Sequence, residues 1–155
     1  MRWVTRAGAR MDRASMVWLI RRMIDPDAEI AFLPDSQVMA DAEATGATPF
    51  HHPQAALRHT GFRTGFDALV THYGLTDPAL AVMALILRGA ETNERQLTPW
   101  SVGVRAIGSG LRALHTDDEA YVAAVAPVLD ALYRFSQDLL APAATPERSS
   151  PIERA

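Results

Sequence analysis

The N-terminal segment carries the residues best suited to bind an anion. The loop Arg6-Ala-Gly-Ala-Arg10 separates a predicted strand from a predicted helix, and Arg13 follows in the first turn of that helix. Backbone N–H groups and the helix dipole converge at such a junction, and arginines add planar forks of donors that suit oxyanions. The segment is not a P-loop, because no Gly-Lys-Ser/Thr follows it. Arg6, Arg10 and Arg13 are therefore expected to bind an oxyanion, unless they pair with acids such as Asp12 and Glu29.

A second group of residues could bind a metal ion. Because the chain contains no cysteine, a transition-metal site would have to use imidazole and carboxylate ligands. His59 lies in a long predicted loop, Asp67 lies at the start of the next helix, and Glu91 follows the helix after that. Together with Asp12, these residues form a predicted ligand set for a divalent transition metal. The alternative is that His59 is an ordinary exposed or hydrogen-bonded loop histidine, because no HExxH-like spacing connects the set.

The composition excludes several classes of protein. With 155 residues, 48% hydrophobic and 21% charged, the chain fits one globular domain and not a disordered one. The lack of cysteine excludes a disulfide scaffold and a cysteine nucleophile, and the lack of a GxSxG sequence disfavours a serine hydrolase. No apolar run is long enough to span a bilayer and no signal peptide is recognisable, so a cytoplasmic protein without a membrane partner is expected.

Two strands and two helices are predicted in the first third of the chain. Residues 2–5 and 29–33 are short apolar segments typical of strands. Residues 12–23 and 35–44 are predicted helices, each with an aspartate as its N-cap. The stretch 45–64 has no clean periodicity and is predicted to be a long loop, which is the kind of segment where binding residues concentrate.

Four further helices are predicted in the rest of the chain. They cover residues 65–73, 77–89, 98–114 and 117–140, and several begin at an Asp-Pro or Thr-Pro pair or at an acidic cluster. The proline- and serine-rich end, residues 141–155, is predicted to be a disordered tail. The expected fold is a mainly helical α+β domain over residues 1–140, with about six helices and a short two-strand element near the N-terminus.

Tryptophans mark the predicted core. Trp18 lies between Val17 and Leu19 on the widest apolar face of the first helix, so it is predicted to be buried. Trp3 and Trp100 are also interpreted as core residues and not as a stacking platform for a ligand.

One long segment carries a resemblance to a known family. Residues 4–34, VTRAGARMDRASMVWLIRRMIDPDAEIAFLP, resemble the signature of the ChrB-type chromate-resistance domain. The resemblance continues through GATPF at 46–50, His59, Phe66-Asp67, Asp77-Pro78 and the RGAE turn at 88–91, and covers about residues 2–135. The polar positions that match the family pattern are Arg6, Asp12, Arg13, Arg21, Arg22, His59, Asp67, Arg88 and Glu91.

The resemblance implies a role in chromate resistance. In that family the domain is typically the C-terminal part of a chromate-responsive regulator of an efflux operon, whose N-terminal region is thought to bind DNA. This chain is expected to be a stand-alone version of the domain, so DNA is not an expected partner. Through the matching positions, Arg22 and Arg88 join Arg6, Arg10 and Arg13 as expected ligand-binding residues. Cysteines common in the family are absent, with Met16-Val17 and Gly65 at their positions, so thiol chemistry on chromate is excluded.

Three functional hypotheses remain open at this point. The first is a cytoplasmic accessory protein of chromate resistance that binds an oxyanion or a metal ligand without turnover. The second is a small His/carboxylate metalloenzyme with a redox or hydrolytic reaction. The third is a helical interaction module whose arginines contact an acidic partner.

Overall fold

A small parallel sheet is formed by the N-terminal part of the chain. The computed structural model describes residues 1–142. Strand β1 (Arg2–Arg6) is central, with β2 (Glu29–Leu33) on one side and β3 (Thr48–Pro49) on the other, and both neighbours run parallel to it. The sequence predicted only two strands, and this prediction was wrong by one. Strand β3 has two residues, one of them a proline without an N–H donor, so it carries no strand pattern of its own.

Helices cover both faces of this sheet. Helix α1 (Met11–Leu19) is followed directly by a π-helical segment (Ile20–Ile24), and α2 is Asp35–Thr45. Successive residues of a strand point to opposite faces of a sheet. In β1, Trp3 belongs to the main hydrophobic core with α1, whereas Val4 packs in a smaller cluster with Val38 of α2.

Four more helices complete the described part of the chain, which agrees with the predicted mainly helical fold. They are α3 (Gly65–His72), α4 (Pro78–Glu91), α5 (Ser101–Leu114) and α6 (Asp118–Leu140). Helix α1 is the central element of the packing, because it contacts each of these four helices.

The predicted helix starts were correct in some places and wrong in others. Asp77 caps α4 through the backbone N–H of Ala79, as the Asp-Pro pair predicted. Helix α1, however, has Arg10 at its N-cap position, and Asp12 is already its second residue. Residues 143–155, which hold most of the predicted tail, lie outside the described residues.

Candidate functional site

The loop between β1 and α1 already binds a carboxylate that belongs to another part of the protein. The carboxylate of Asp118, in the first turn of α6, accepts hydrogen bonds from the backbone N–H groups of Gly8 (2.9 Å) and Ala9 (2.7 Å). Gly8 has φ +75°, a left-handed conformation that glycine adopts readily. Arg112 Nη1 donates to the same carboxylate over 2.9 Å. The backbone donors predicted to receive an oxyanion are therefore engaged by a side chain more than one hundred positions away in the sequence.

The predicted arginines of this segment have different surroundings. Arg13 is only 8% exposed, and its guanidinium donates to the carbonyl of Gly8 over 2.7 Å and contacts Asp12 at 3.6 Å. Arg6 lies at the end of β1 and contacts the exposed carboxylate of Asp35 at 3.4 Å. Arg13 thus holds the loop in place from inside, whereas Arg6 is directed towards the carboxyl edge of the sheet.

The two arginines taken from the family pattern form ion pairs with acids of other helices. Arg22, in the π-helical segment, contacts Asp130 of α6. Arg88 of α4 donates to Asp67 of α3 over 2.9 Å, and the other carboxylate oxygen of Asp67 accepts the backbone N–H of Thr64. Both pairs connect neighbouring helices and do not point to a shared ligand.

Arg10 lines a cavity that sequence reasoning missed. The cavity has a volume of about 210 Å³ and lies between the start of α1, the end of α4, α5 and α6. Arg105 and Arg112 of α5 line it together with Arg10, and the three residues define what we call the arginine cavity. Arg112 follows Arg105 by seven positions, which places both on one face of α5, two turns apart. This spacing is visible in the sequence and could have indicated that the two arginines lie on the same face of a helix.

Acidic and phenolic side chains also line the arginine cavity, namely those of Asp12, Glu91 and Tyr121. Burial raises the pKa of Glu91 well above its usual range, and the nearby charge of Asp12 raises it further, although a hydrogen bond from Ser15 Oγ opposes this. Burial also raises the pKa of Tyr121 to about 12. The cavity therefore combines arginine donors with two acidic groups whose pKa values are raised.

Comparison with known proteins identifies the family. Residues 3–136 match the family model described as ChrB, C-terminal domain. The chain belongs to the ChrB C-terminal domain family. It is 33% identical over 132 residues to Protein ChrB of Cupriavidus metallidurans, a match that covers 84% of this chain and 39% of that relative. The ChrB domain thus spans about two fifths of the length of the curated relative, and no solved structure matches it.

Within this ChrB domain the predicted metal ligands lie in different surroundings. Asp12 and Glu91 both line the arginine cavity, Asp67 is engaged by Arg88 and Thr64, and His59 is exposed in a separate cleft. Among residues 1–142, no group of three or more His, Asp or Glu side chains is placed to hold a metal ion. No helix in the same part of the chain is long and apolar enough to cross a membrane.

His51 contacts Asp12, a residue that lines the arginine cavity, although His51 does not line that cavity itself. Its Nε2 lies 3.3 Å from Asp12 Oδ2, and burial lowers its pKa in spite of this carboxylate. His51 directly follows the GATPF segment at residues 46–50.

The raised pKa of Glu91 predicts how folding stability depends on pH. The folded state keeps a proton on Glu91 at pH values where the unfolded chain, with a pKa near 4.5, has lost it. The free energy of unfolding should therefore fall as the pH rises from that value through the raised pKa. Glu91→Gln cannot ionise, so this variant should melt at a higher temperature than the parent protein at pH 8, and by less or not at all at pH 4.5.

Thermal unfolding followed by circular dichroism between pH 4.5 and 8 measures this difference. Glu94→Gln changes an exposed residue near the end of the same helix and serves as the control. A constant difference between Glu91→Gln and the parent across the pH range would show that Glu91 titrates as it does in the unfolded chain.

Proposed function

We propose that this ChrB domain binds a tetrahedral oxyanion such as chromate in the arginine cavity, as the ligand-binding step of chromate resistance. The observation that carries the proposal is the convergence of Arg10, Arg105 and Arg112 on one cavity. Guanidinium groups bind tetrahedral oxyanions through pairs of parallel N–H donors. The cavity is smaller than the roughly 300–1,000 Å³ of a site for a drug-sized molecule, which favours a small ion.

The acidic residues of the cavity are compatible with an anion. Protonated Glu91 is a neutral group that can donate a hydrogen bond to an oxyanion oxygen. The charge of Asp12 is balanced by Arg13, whose Nε lies 3.6 Å from one carboxylate oxygen. Arg10 and Arg105 add positive charge at the same cavity. An oxyanion bound there would therefore lie beside Arg10 and Arg105, whereas Arg112 already donates to Asp118 and to the carbonyls of Ala9 and Thr116.

Binding without turnover is the role that we propose, with the cytoplasm as its location. The absence of cysteine leaves the domain without a thiol that could reduce chromate. The alternative, a metalloenzyme that holds a divalent metal through His59, Asp12, Asp67 and Glu91, would require these residues to come together from the different surroundings in which they lie. Elemental analysis of the purified protein tests it, because a stoichiometric transition metal would favour the metalloenzyme.

Chromate should stabilise the folded protein. A single site occupied at about 100-fold above its dissociation constant adds roughly 2.7 kcal/mol to the free energy of unfolding, which appears as a higher melting temperature. Sulfate has the same shape and charge and should compete. Arg105→Gln and Arg10→Gln keep polar side chains but remove charge, so each should reduce the shift and raise the concentration at half-effect.

The matched control is Arg134→Gln, which removes an exposed arginine paired with Asp138 on α6. Differential scanning calorimetry at fixed ionic strength separates specific binding from general salt effects. An equal chromate shift in Arg105→Gln and in Arg134→Gln would contradict binding in the arginine cavity.

A further inference from the structure

A second ligand site is suggested first by the topology of the sheet. In the strand order β2-β1-β3, α1 connects the central strand β1 to β2 at one edge of the sheet. Helix α2 then connects β2 to β3 at the other edge. The helices lie on opposite faces, so β1 and β3 border the point where the connections diverge. Open parallel sheets bind ligands beyond the carboxyl ends of the strands at such a point.

The residues at this place form a cleft whose ionisable side chains are all basic. Arg6 ends β1, His51 and His52 follow β3, and Arg58 and His59 come from the loop beyond; these five residues define the basic cleft, which has a volume of about 300 Å³. It is distinct from the arginine cavity, because the two share no lining residue. Arg58 and His59 are exposed, so the cleft opens to solvent.

Two buried polar atoms of residues that line the basic cleft have no hydrogen-bond partner in the described part of the chain. Within residues 1–142, His51 Nδ1 and Arg6 Nε are buried and accept or donate no hydrogen bond. His51 also has φ +50°, a left-handed conformation that is uncommon for any residue other than glycine. Strained backbone of this kind tends to occur at ligand sites, where it fixes the direction of a side chain.

The acids that face the basic cleft are few. Asp35 at the start of α2 lies 3.4 Å from Arg6 Nη1 and 3.7 Å from His52 Nε2, and its side chain is largely exposed. Asp12 of α1 faces His51 at 3.3 Å. Among these contacts, those of Asp35 are long, so an incoming anion could replace this carboxylate as the partner of Arg6 and His52.

We propose that the basic cleft binds a tetrahedral dianionic group of the phosphate type, as a second anion site separate from the arginine cavity. Arginine and imidazole N–H groups are hydrogen-bond donors for such a group. In the basic cleft these side chains supply the donors, whereas the backbone N–H groups of the loop after β1 are already bound by Asp118. The open side of the cleft leaves room for an organic part of the ligand. The ligand can be a phosphate monoester, bound through its phosphate group, or free inorganic phosphate.

Isothermal titration calorimetry with inorganic phosphate and with glycerol 3-phosphate tests the site in the full chain, both in the parent protein and in Arg105→Gln, where the arginine cavity is weakened. Arg58→Gln and His59→Gln should each weaken binding, the arginine variant by about tenfold or more, because a charge-assisted hydrogen bond is lost. Asp35→Asn should tighten binding, because a competing carboxylate is removed. His72→Gln, an exposed histidine of α3 that does not line the cleft, should bind as the parent does.

The outcomes separate this site from the proposed function. Tighter binding of glycerol 3-phosphate than of phosphate assigns an organic phosphate as the ligand, and equal binding assigns the free ion. Arg105→Gln should keep phosphate binding even where it loses the chromate shift. The proposal is overturned if neither probe binds, if Arg58→Gln and Asp35→Asn leave the affinity unchanged, or if phosphate binding is lost in Arg105→Gln instead.

Discussion

Replacement of Trp18 by alanine is expected to lower the free energy of unfolding by about 3–5 kcal/mol, a large share of the stability of a domain of this size. Trp18 is 3% exposed and packs against Tyr133 of α6, with ring centroids 5.6 Å apart. Its indole N–H donates to Asp130 over 2.8 Å. The variant therefore loses apolar burial, leaves a cavity between α1 and α6, and removes a hydrogen bond between them.

Two control variants separate these contributions. Trp18→Phe keeps an aromatic ring but loses the N–H donor, and should retain a good part of the stability. Trp100→Ala removes a tryptophan that is 40% exposed and should cost clearly less. Urea unfolding at constant pH measures all three variants. Equal losses in Trp18→Ala and Trp100→Ala would contradict the central position of α1 in the core.

The contrast between these tryptophans shows what the sequence could predict. Trp18 was correctly predicted to be buried, because several turns of apolar residues surround it in α1. Trp3 is also fully buried, in agreement with the prediction. Trp100 was wrongly interpreted as a core residue: it precedes α5, packs edge-on against Phe135 and remains partly exposed. Residue type alone predicted its burial, with no periodic pattern in support.

Elements with local signals were predicted well. Helix α2 ends at Thr45 before Gly46, which has φ +72°, close to the predicted end at residue 44. Asp117 caps α6 through the N–H of Ala120 at the predicted acidic start of that helix. Strand β3 has no such signal, because it is defined by the free edge of β1: Phe50 N–H donates to the carbonyl of Val4 over 3.0 Å. Pairing of this kind depends on the assembled sheet and not on the two residues themselves.

The candidate site was predicted only in part, because its members come together through the tertiary structure. Arg10 was expected to contact a ligand and does line the arginine cavity. Its companions Arg105 and Arg112 lie about 100 positions further along the chain, and no pattern near Arg10 points to them. The role of Asp118 on the loop at Gly8 was equally invisible, since 110 positions separate the two residues.

The contact of Asp118 with the loop leads to the second large expected effect. Asp118→Ala should lower the free energy of unfolding by about 2–4 kcal/mol. Its carboxylate is 13% exposed and accepts from two backbone N–H groups and from Arg112. The variant leaves all three donors without this acceptor. Partial access to water keeps the expected cost below that of a fully buried ion pair.

Neighbouring acids provide matched controls for this variant. Asp117→Ala removes an N-cap hydrogen bond to Ala120 and should cost about 1 kcal/mol. Glu119→Ala removes a largely exposed partner of Arg21 and should cost less than about 1 kcal/mol. All three substitutions remove one negative charge from the start of α6, so a larger loss in Asp118→Ala reports the loop contact and not the helix dipole.

Added anions should then restore part of the stability that Asp118→Ala loses. The vacated N–H groups of Gly8 and Ala9, together with Arg112, form the anion site that the sequence of the loop predicted, now without its internal carboxylate. Formate is small enough to replace that carboxylate, so it should raise the melting temperature of Asp118→Ala more than that of Asp117→Ala or of the parent protein. Equal formate responses in the three proteins would mean that the loop donors rearrange once Asp118 is removed, and that Asp118 itself shapes the loop.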